Sequence, residues 1–329
     1  MITQLIVTFI LGLLFVQMSK KIAIKYDIVD RPNSKIKTHT KITPYLGGLG
    51  IIITFFISFL IFNPVELNMK HIVELLSLFA IFILGFFDDK NGLKITTRLV
   101  IQIVITICLI STGNILHLTD IAILDIVITT IGILFMINAM NILDILDGLS
   151  SGITSIILGS FLILNSFIIG NEFYMFISII YITSLIAFLV YNFNPASIFM
   201  GDAGSTVLGL FLAIVFINTY NNAPDISFHF AAFFALAIPI FEVFYVSILR
   251  LKKGMNPMKG SKDHFALRKR LMGHSVKETV ILAYGITFMT MIATYIAIGQ
   301  SFDKLLIMSL GVVISFIIFG YTLAKVKID

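Results

Sequence analysis

Charge is scarce in this sequence. Of its 329 residues only 12% are Asp, Glu, Lys or Arg, while 58% are apolar. A water-soluble domain carries about 25% charged and about 45–50% apolar residues, so this chain has too few charges to cover a surface that faces water. With a mean hydropathy of +1.03, the composition excludes a soluble enzyme and indicates an integral membrane protein. Cysteine is nearly absent, and the single Cys108 excludes a disulfide framework and a thiolate metal cluster. No positive residue precedes the first apolar run, Ile2 to Met18, whereas Lys20 and Lys21 follow it. A secretory signal has the opposite order, so this run reads as a retained span. The sequence has no soluble module to present its net charge of +5 to a nucleic acid, and it has no internal repeat or low-complexity tract. A single membrane domain over residues 1–329 is the simplest organisation.

What the chain has in quantity is long apolar runs. A helix spans a bilayer with about 17–25 mostly apolar residues. Eleven runs approach that length, at about 2–18, 47–62, 71–87, 98–112, 121–141, 152–170, 173–192, 204–220, 228–250, 276–298 and 302–324. The expected fold is therefore all-α and polytopic, with about eleven transmembrane helices. The basic residues test this count independently. With eleven spans, 21 of the 23 Lys and Arg residues fall on one side and only Lys70 and Lys304 on the other. The positive-inside rule then puts the N-terminus outside and the C-terminus in the cytoplasm.

The polar residues crowd the cytoplasmic ends of the spans. Asp88 and Asp89 end the third span, where a helix C-terminus disfavours negative charge by about 0.3–1 kcal/mol. A cation or a reacting proton would justify the pair, and a solvated helix end with a turn at Asn91-Gly92 is the alternative. Asn138, Asn141, Asp144 and Asp147 recur every three positions at the end of the fifth span, before Gly148. Amide oxygens and carboxylates together suit a hard cation such as Mg²⁺, whereas helix capping would explain one of the four.

The segment Asn194 to Ser205 precedes the eighth span. Its glycines and the helix N-terminus that follows offer N–H groups to a phosphate, with Asp202 able to hold a metal and Phe199 to offer a flat face to a base. A tight turn with Asp202 as N-cap is the alternative. The basic loop after the ninth span contains Lys259, Lys262, His264, Arg268, Lys269 and Arg270. Arg and Lys bind phosphate oxygens, and the same residues also serve as a positive-inside determinant that touches anionic lipid. His39, in the loop after the first span, reads as structural. Glu242, after Pro239, is the notable acid within a span and is expected to face protein or water. Glu74 and Asp125 lie near outer ends and are expected to reach water. His71, His117, His229 and His274 have no metal-ligand spacing.

In order and local spacing these clusters resemble the polyprenyl-phosphate N-acetylhexosamine-1-phosphate transferases, glycosyltransferase family 4, over most of the chain from Asp30 to Arg270. The resemblance implies a Mg²⁺-dependent membrane enzyme, with Mn²⁺ as the alternative ion. A UDP-N-acetylhexosamine would be the donor and a polyprenyl (undecaprenyl) phosphate the acceptor, with lipid-diphosphate-sugar and UMP as products. It would act at the cytoplasmic face of the cell membrane, as the first membrane step of a cell-envelope glycan, and a homodimer is the assembly implied. Carried over by position, Asp202 would be a metal ligand with Asn141 assisting. Asp88, Asp89 and Asp144 would be catalytic, the first two orienting or deprotonating the lipid phosphate. Phe199, Asp147 and Asn138 would form the nucleotide site, and Lys94, His264 and Arg268 would contact phosphates. The loop Asp263-His264-Phe265-Ala266-Leu267-Arg268 holds one histidine where the MurNAc-pentapeptide branch has a run. That departure and the eleven spans favour a GlcNAc donor over a MurNAc-pentapeptide one. The spacing from Pro32 to His39 is one residue longer than the family's pattern.

Two other classes compete. A transporter would place its polar groups near the bilayer midplane, not at the span ends. The CDP-alcohol phosphotransferases share the opening Asp144-Ile145-Leu146-Asp147-Gly148, but Leu149-Ser150-Ser151 stands where their Ala-Arg is expected.

Overall fold

The computed structural model describes residues 2–32, 42–168, 171–256 and 261–326. His39 and Lys259 lie outside these. The described residues are largely helical: α1 (Ile2–Lys25), α2 (Gly47–Phe62), α3 (Met69–Asn91), α4 (Ile95–Ser111), α5 (Ala122–Leu143), α6 (Leu149–Asn165), α7 (Glu172–Asn192), α8 (Asp202–Asn221), α9 (Ile226–Ala235), α10 (Ala237–Lys252), α11 (Phe265–Leu271), α12 (Val276–Ala297) and α13 (Phe302–Ala324). A short ribbon pairs β1 (Val29–Asp30) antiparallel to β2 (Thr43–Pro44), with Val29 opposite Pro44.

Among the described residues, α1, α3, α5, α7, α8, α12 and α13 are long and apolar enough to cross a membrane, and the bent pair α9–α10 makes an eighth. Helices α2, α4 and α6 are apolar but shorter. Each expected run has its helix. The ninth is broken, because α9 and α10 meet at 58°. Pro239 is the third residue of α10, where a helix amide lacks an intrahelical acceptor, so the proline sacrifices no bond there. Helix α1 continues beyond its apolar run to Lys25, since cations favour a helix C-terminus. The short α11 lies within the basic loop.

Helix α8 is the post of the bundle, with every residue from Ala203 to Tyr220 buried. Glycines let its neighbours touch its backbone. A Cβ on Gly48 of α2 would collide with Gly204, one on Gly85 of α3 with Asp202 and Ala203, and one on Gly209 of α8 with Met136 and Ile137 of α5. Close backbone approach through small residues is how helices gain packing where lipid supplies no hydrophobic drive. These contacts decide where the polar residues meet, because Gly85 seats the last turn of α3 against the first turn of α8.

Two acids are placed differently from expectation. Glu74 and Asp125 do not reach water: each is buried, Glu74 accepting from Tyr174 Oη at 2.9 Å and Asp125 from Thr119 N at 2.9 Å. Hydrogen bonding inside the bundle replaces hydration for both.

Candidate active site

The ends of α3 and α5, the start of α8 and the loops around them enclose a cleft of about 600 Å³. Asp89, Asp144, Asp147, Phe199, Asp202 and His264 line it, together with Arg31, Tyr45, Asn192 and Ser261.

The α3–α8 contact resolves the charge problem at the end of α3. Asp89 reaches across to the N-terminus of α8, where Oδ1 accepts from Asp202 N at 2.9 Å and Oδ2 from Ala203 N at 3.0 Å. One helix disfavours this carboxylate and the next favours it. Asp88 Oδ2 accepts from Arg98 Nη1 at 2.7 Å, and its Oδ1 accepts from Leu93 N at 2.8 Å, which closes the turn at Gly92. Gly92 has φ 62°, in the left-handed region that glycine enters at little cost. Arg98 also lies 3.7 Å from Asp202 Oδ2, so it bridges two carboxylates on different helices.

Asn141 stands behind Asp202. Its Nδ2 donates to Asp202 Oδ1 at 2.8 Å and to Ser205 Oγ at 3.1 Å. Asp144 caps α5 and accepts from Ser150 Oγ at 2.6 Å. Burial pushes its carboxyl up to about 7; the Ser150 bond opposes the shift, and the neighbouring charges of Asp202 and Asp147 add to it.

Straps between two loops shape the next wall. Asp147 Oδ2 accepts from Asn194 Nδ2 at 2.8 Å and from Ala196 N at 3.0 Å. Asn192 accepts from Gly148 N and donates to Ile198 O, each at 2.9 Å. The Phe199 main chain is pinned between Pro44 O and Gly47 N, at 2.7 and 2.9 Å, which fixes the ring at the cleft.

The segment 261–264 folds back to the cleft because α10 holds it. Arg250 Nε donates to Ser261 Oγ at 2.9 Å, Lys253 Nζ to Asp263 Oδ1 at 2.8 Å, and His264 Nδ1 lies 2.9 Å from Glu242 Oε1. Burial works to raise the Asp263 carboxyl, but the hydrogen bonds from Lys253, Arg268 and Ser261 outweigh it and hold it below the usual range.

Five expected site residues do not line the cleft: Asp88 and Asn141 stand beside it, bonded to Arg98 and Asp202, while Asn138, Lys94 and Arg268 turn elsewhere. Asn138 faces α4, donating to Gln102 Oε1 and Leu134 O. Lys94 is exposed at the start of α4. Arg268 is buried and donates to Asp263, Leu323 O and Val326 O, so its guanidinium ties the basic loop to the C-terminal end of α13. Conversely, Arg98, one of the 21 basic residues on the shared side, stands against Asp88 and Asp202. Its position ten residues beyond Asp88, at the start of a helix, was the available signal.

Among the described residues, no three His, Cys, Asp or Glu side chains converge into a ready cation cage. The arrangement still fits Mg²⁺, which takes one or two carboxylates and fills its remaining positions with water and substrate phosphates. Asp202 lines the cleft with its carboxylate about a third exposed, and other acids crowd around it.

Comparison with known proteins accords with this geometry. Residues 71–220 match the profile of glycosyl transferase family 4, a stretch from α3 through α8 that contains both aspartate pairs, Asn141, Phe199 and Asp202. Over nearly its whole length the chain is similar to a protein of Bacillus subtilis (strain 168) named "Probable undecaprenyl-phosphate N-acetylglucosaminyl 1-phosphate transferase", at 29% identity over 98% of this chain and 92% of that one. The undecaprenyl-phosphate alpha-N-acetylglucosaminyl 1-phosphate transferases of Yersinia pestis and Escherichia coli (strain K12) are 25% and 23% identical. They cover 99% and 98% of this chain, and 92% and 91% of their own lengths.

Proposed function

We propose that the chain, whose residues 71–220 match the profile of glycosyl transferase family 4, transfers N-acetylglucosamine 1-phosphate from UDP-GlcNAc to undecaprenyl phosphate. The observation that carries the reading is the meeting of Asp89, Asp144, Asp147, Phe199 and Asp202 around one cleft, all within the stretch the family profile matches.

In this reaction an oxygen of the lipid phosphate attacks the β-phosphorus of the donor. The bond from that phosphorus to the bridging oxygen breaks, and UMP leaves with the bridging oxygen. Both reactants are anions. At an effective dielectric of 20, two unit charges 4 Å apart repel by about 4 kcal/mol, so catalysis rests on counter-charge and positioning. Arg98, held between Asp88 and Asp202, supplies fixed positive charge at the acceptor side. Phe199 offers its ring to the uracil face, and Asp147, oriented by Asn194 and Ala196, an acceptor to the uracil edge. Asp202, steadied by Asn141, would hold Mg²⁺, or Mn²⁺ in its place, with Asp144 nearby. When bound, the ion supplies positive charge to the diphosphate oxygens. Asp89 acts by holding the first turn of α8, and with it Asp202, in place.

The membrane arrangement follows the same reading. Eleven spans, with α9–α10 counted as one and the N-terminus outside, put the cleft at the cytoplasmic face of the cell membrane. The one-sided distribution of Lys and Arg supports this. A homodimer is the assembly that the family resemblance favours.

The deciding experiment incubates purified protein with undecaprenyl phosphate and a panel of UDP-sugars, with and without Mg²⁺. UMP released only with lipid, ion and UDP-GlcNAc is the expected result. Release from a different UDP-sugar would overturn the donor, and no release from any donor by folded protein would overturn the reaction.

A further inference from the structure

Glu242 has no place in the chemistry above, yet it is 0% exposed inside the bundle. An acid so placed needs a partner. It finds two, both on the segment that returns to the cleft: His264 Nδ1 lies 2.9 Å from Oε1, and Phe265 N donates to Oε2 at 3.4 Å. The break between α9 and α10 places this carboxylate on the second turn of α10, beneath the cleft wall.

The chemistry of the pair fixes a proton. An ionised carboxylate only accepts, and a backbone N–H only donates. With Glu242 ionised, the His264 ring carries its proton on Nδ1, directed at Glu242. Since His264 lines the cleft, Nε2, on the far edge of the ring, is the polar atom left for a ligand. A neutral ring in this tautomer turns a lone pair toward the cleft, which repels a phosphate. A charged ring turns an N–H toward it, with Glu242 below balancing the charge.

We propose that Glu242 is a positioning residue for the transfer: it fixes the proton of His264 on Nδ1, so that His264 meets the donor's diphosphate as an imidazolium through Nε2. This rests on the transferase reading. Glu242 touches no substrate itself and acts through the ring it orients. The same arrangement explains how a loop with a single histidine engages the diphosphate although Arg268 is committed to α13.

The test uses the full-length protein with its histidine rings labelled with ¹⁵N. Nitrogen shifts distinguish protonated from bare ring nitrogens, and His264→Gln identifies which of the signals from the six histidines belongs to this ring. Wild-type protein should show Nδ1 protonated, with Nε2 becoming protonated on addition of UDP-GlcNAc. Glu242→Gln offers one oxygen and one NH₂. Phe265 N–H claims the oxygen, so the NH₂ faces Nδ1 and the ring proton should move to Nε2.

Kinetically, loss of one charge-assisted contact should raise KM for UDP-GlcNAc about tenfold or more, with a smaller change in kcat. Glu242→Gln should add nothing further in the His264→Gln background. A wild-type ring protonated on Nε2 alone would overturn the proposal, and that measurement needs no Glu242 variant to fold. So would an equal loss of activity from Glu242→Gln in both backgrounds with the His264 signals unmoved, the mark of a purely structural acid. If the wild-type protein releases no UMP, the transferase reading fails and the proposed diphosphate contact with it, while the nitrogen shifts still decide the Glu242–His264 pairing.

Discussion

Asp89 and Asp202 are joined by a 2.9 Å hydrogen bond, yet the roles proposed for them differ, and substitution separates them. Asp202→Asn keeps shape and removes charge from the cleft. UMP release should fall by roughly 100- to 1,000-fold, while the purified protein stays monodisperse with unchanged helicity. Full activity in such a preparation would remove Asp202 from the metal role. Phe199→Ala leaves the pinned main chain in place and deletes only the ring. UMP affinity, measured by calorimetry, should weaken by about 1–3 kcal/mol, the range for stacking of a base on an aromatic side chain, with KM for the lipid little changed. At this scale the sequence was informative where polar residues interrupt apolar runs, as at Asp202 and Asn141, which the structure brings within hydrogen-bond distance. It was not informative where one residue type has two uses. An arginine in a basic loop reads the same whether it meets phosphate or, as Arg268 does, the last carbonyls of a distant helix. Glu74 and Asp125 misled for a related reason: distance from a helix end does not say which way a side chain turns.

The helices meet through their glycines, and that is where element-scale changes act. Gly85 has no room for a Cβ against Asp202 and Ala203. Gly85→Val should drive the end of α3 away from α8, unseat Asp89 from its two amides, and cost activity at least as much as Asp89→Ala does. Thermal stability in detergent should drop as well, since overpacking costs about 1–3 kcal/mol or more. A fully active and equally stable Gly85→Val protein would contradict the contact. The apolar runs announced the helices themselves, and several boundaries matched within a turn, because length and hydropathy are local properties. The break at Leu236 had no local mark, since Pro239 reads as a tolerated proline within a span. The docking of α3 on α8 was also hidden: a glycine needed for close approach looks like any other until its neighbour is known.

For the molecule as a whole, the orientation can be tested on one background. Cys108 is the only cysteine, so Cys108→Ser gives a thiol-free chain. Added to intact cells, a membrane-impermeant maleimide should label Lys304→Cys, and should label Lys277→Cys only after the membrane is opened. The reverse pattern would invert the topology and move the cleft to the outer face. The expectation rests on the charge count across the loops, which sums many residues and tolerates misreading of a few. The site was less legible, because its parts come from helices far apart in sequence.

That separation has a consequence for how the protein is made. Asp89 finds its partners on α8, 113 residues later in the chain. While the ribosome delivers α4 to α7, Asp89 has no second helix end to offset its charge, and the membrane surface is where it can stay hydrated. A nascent chain stalled before α8 should therefore hold α3 inserted but shallow, with Asp89 open to aqueous reagents. The arrival of α8 would draw α3 to its final depth and complete the cleft in the same event.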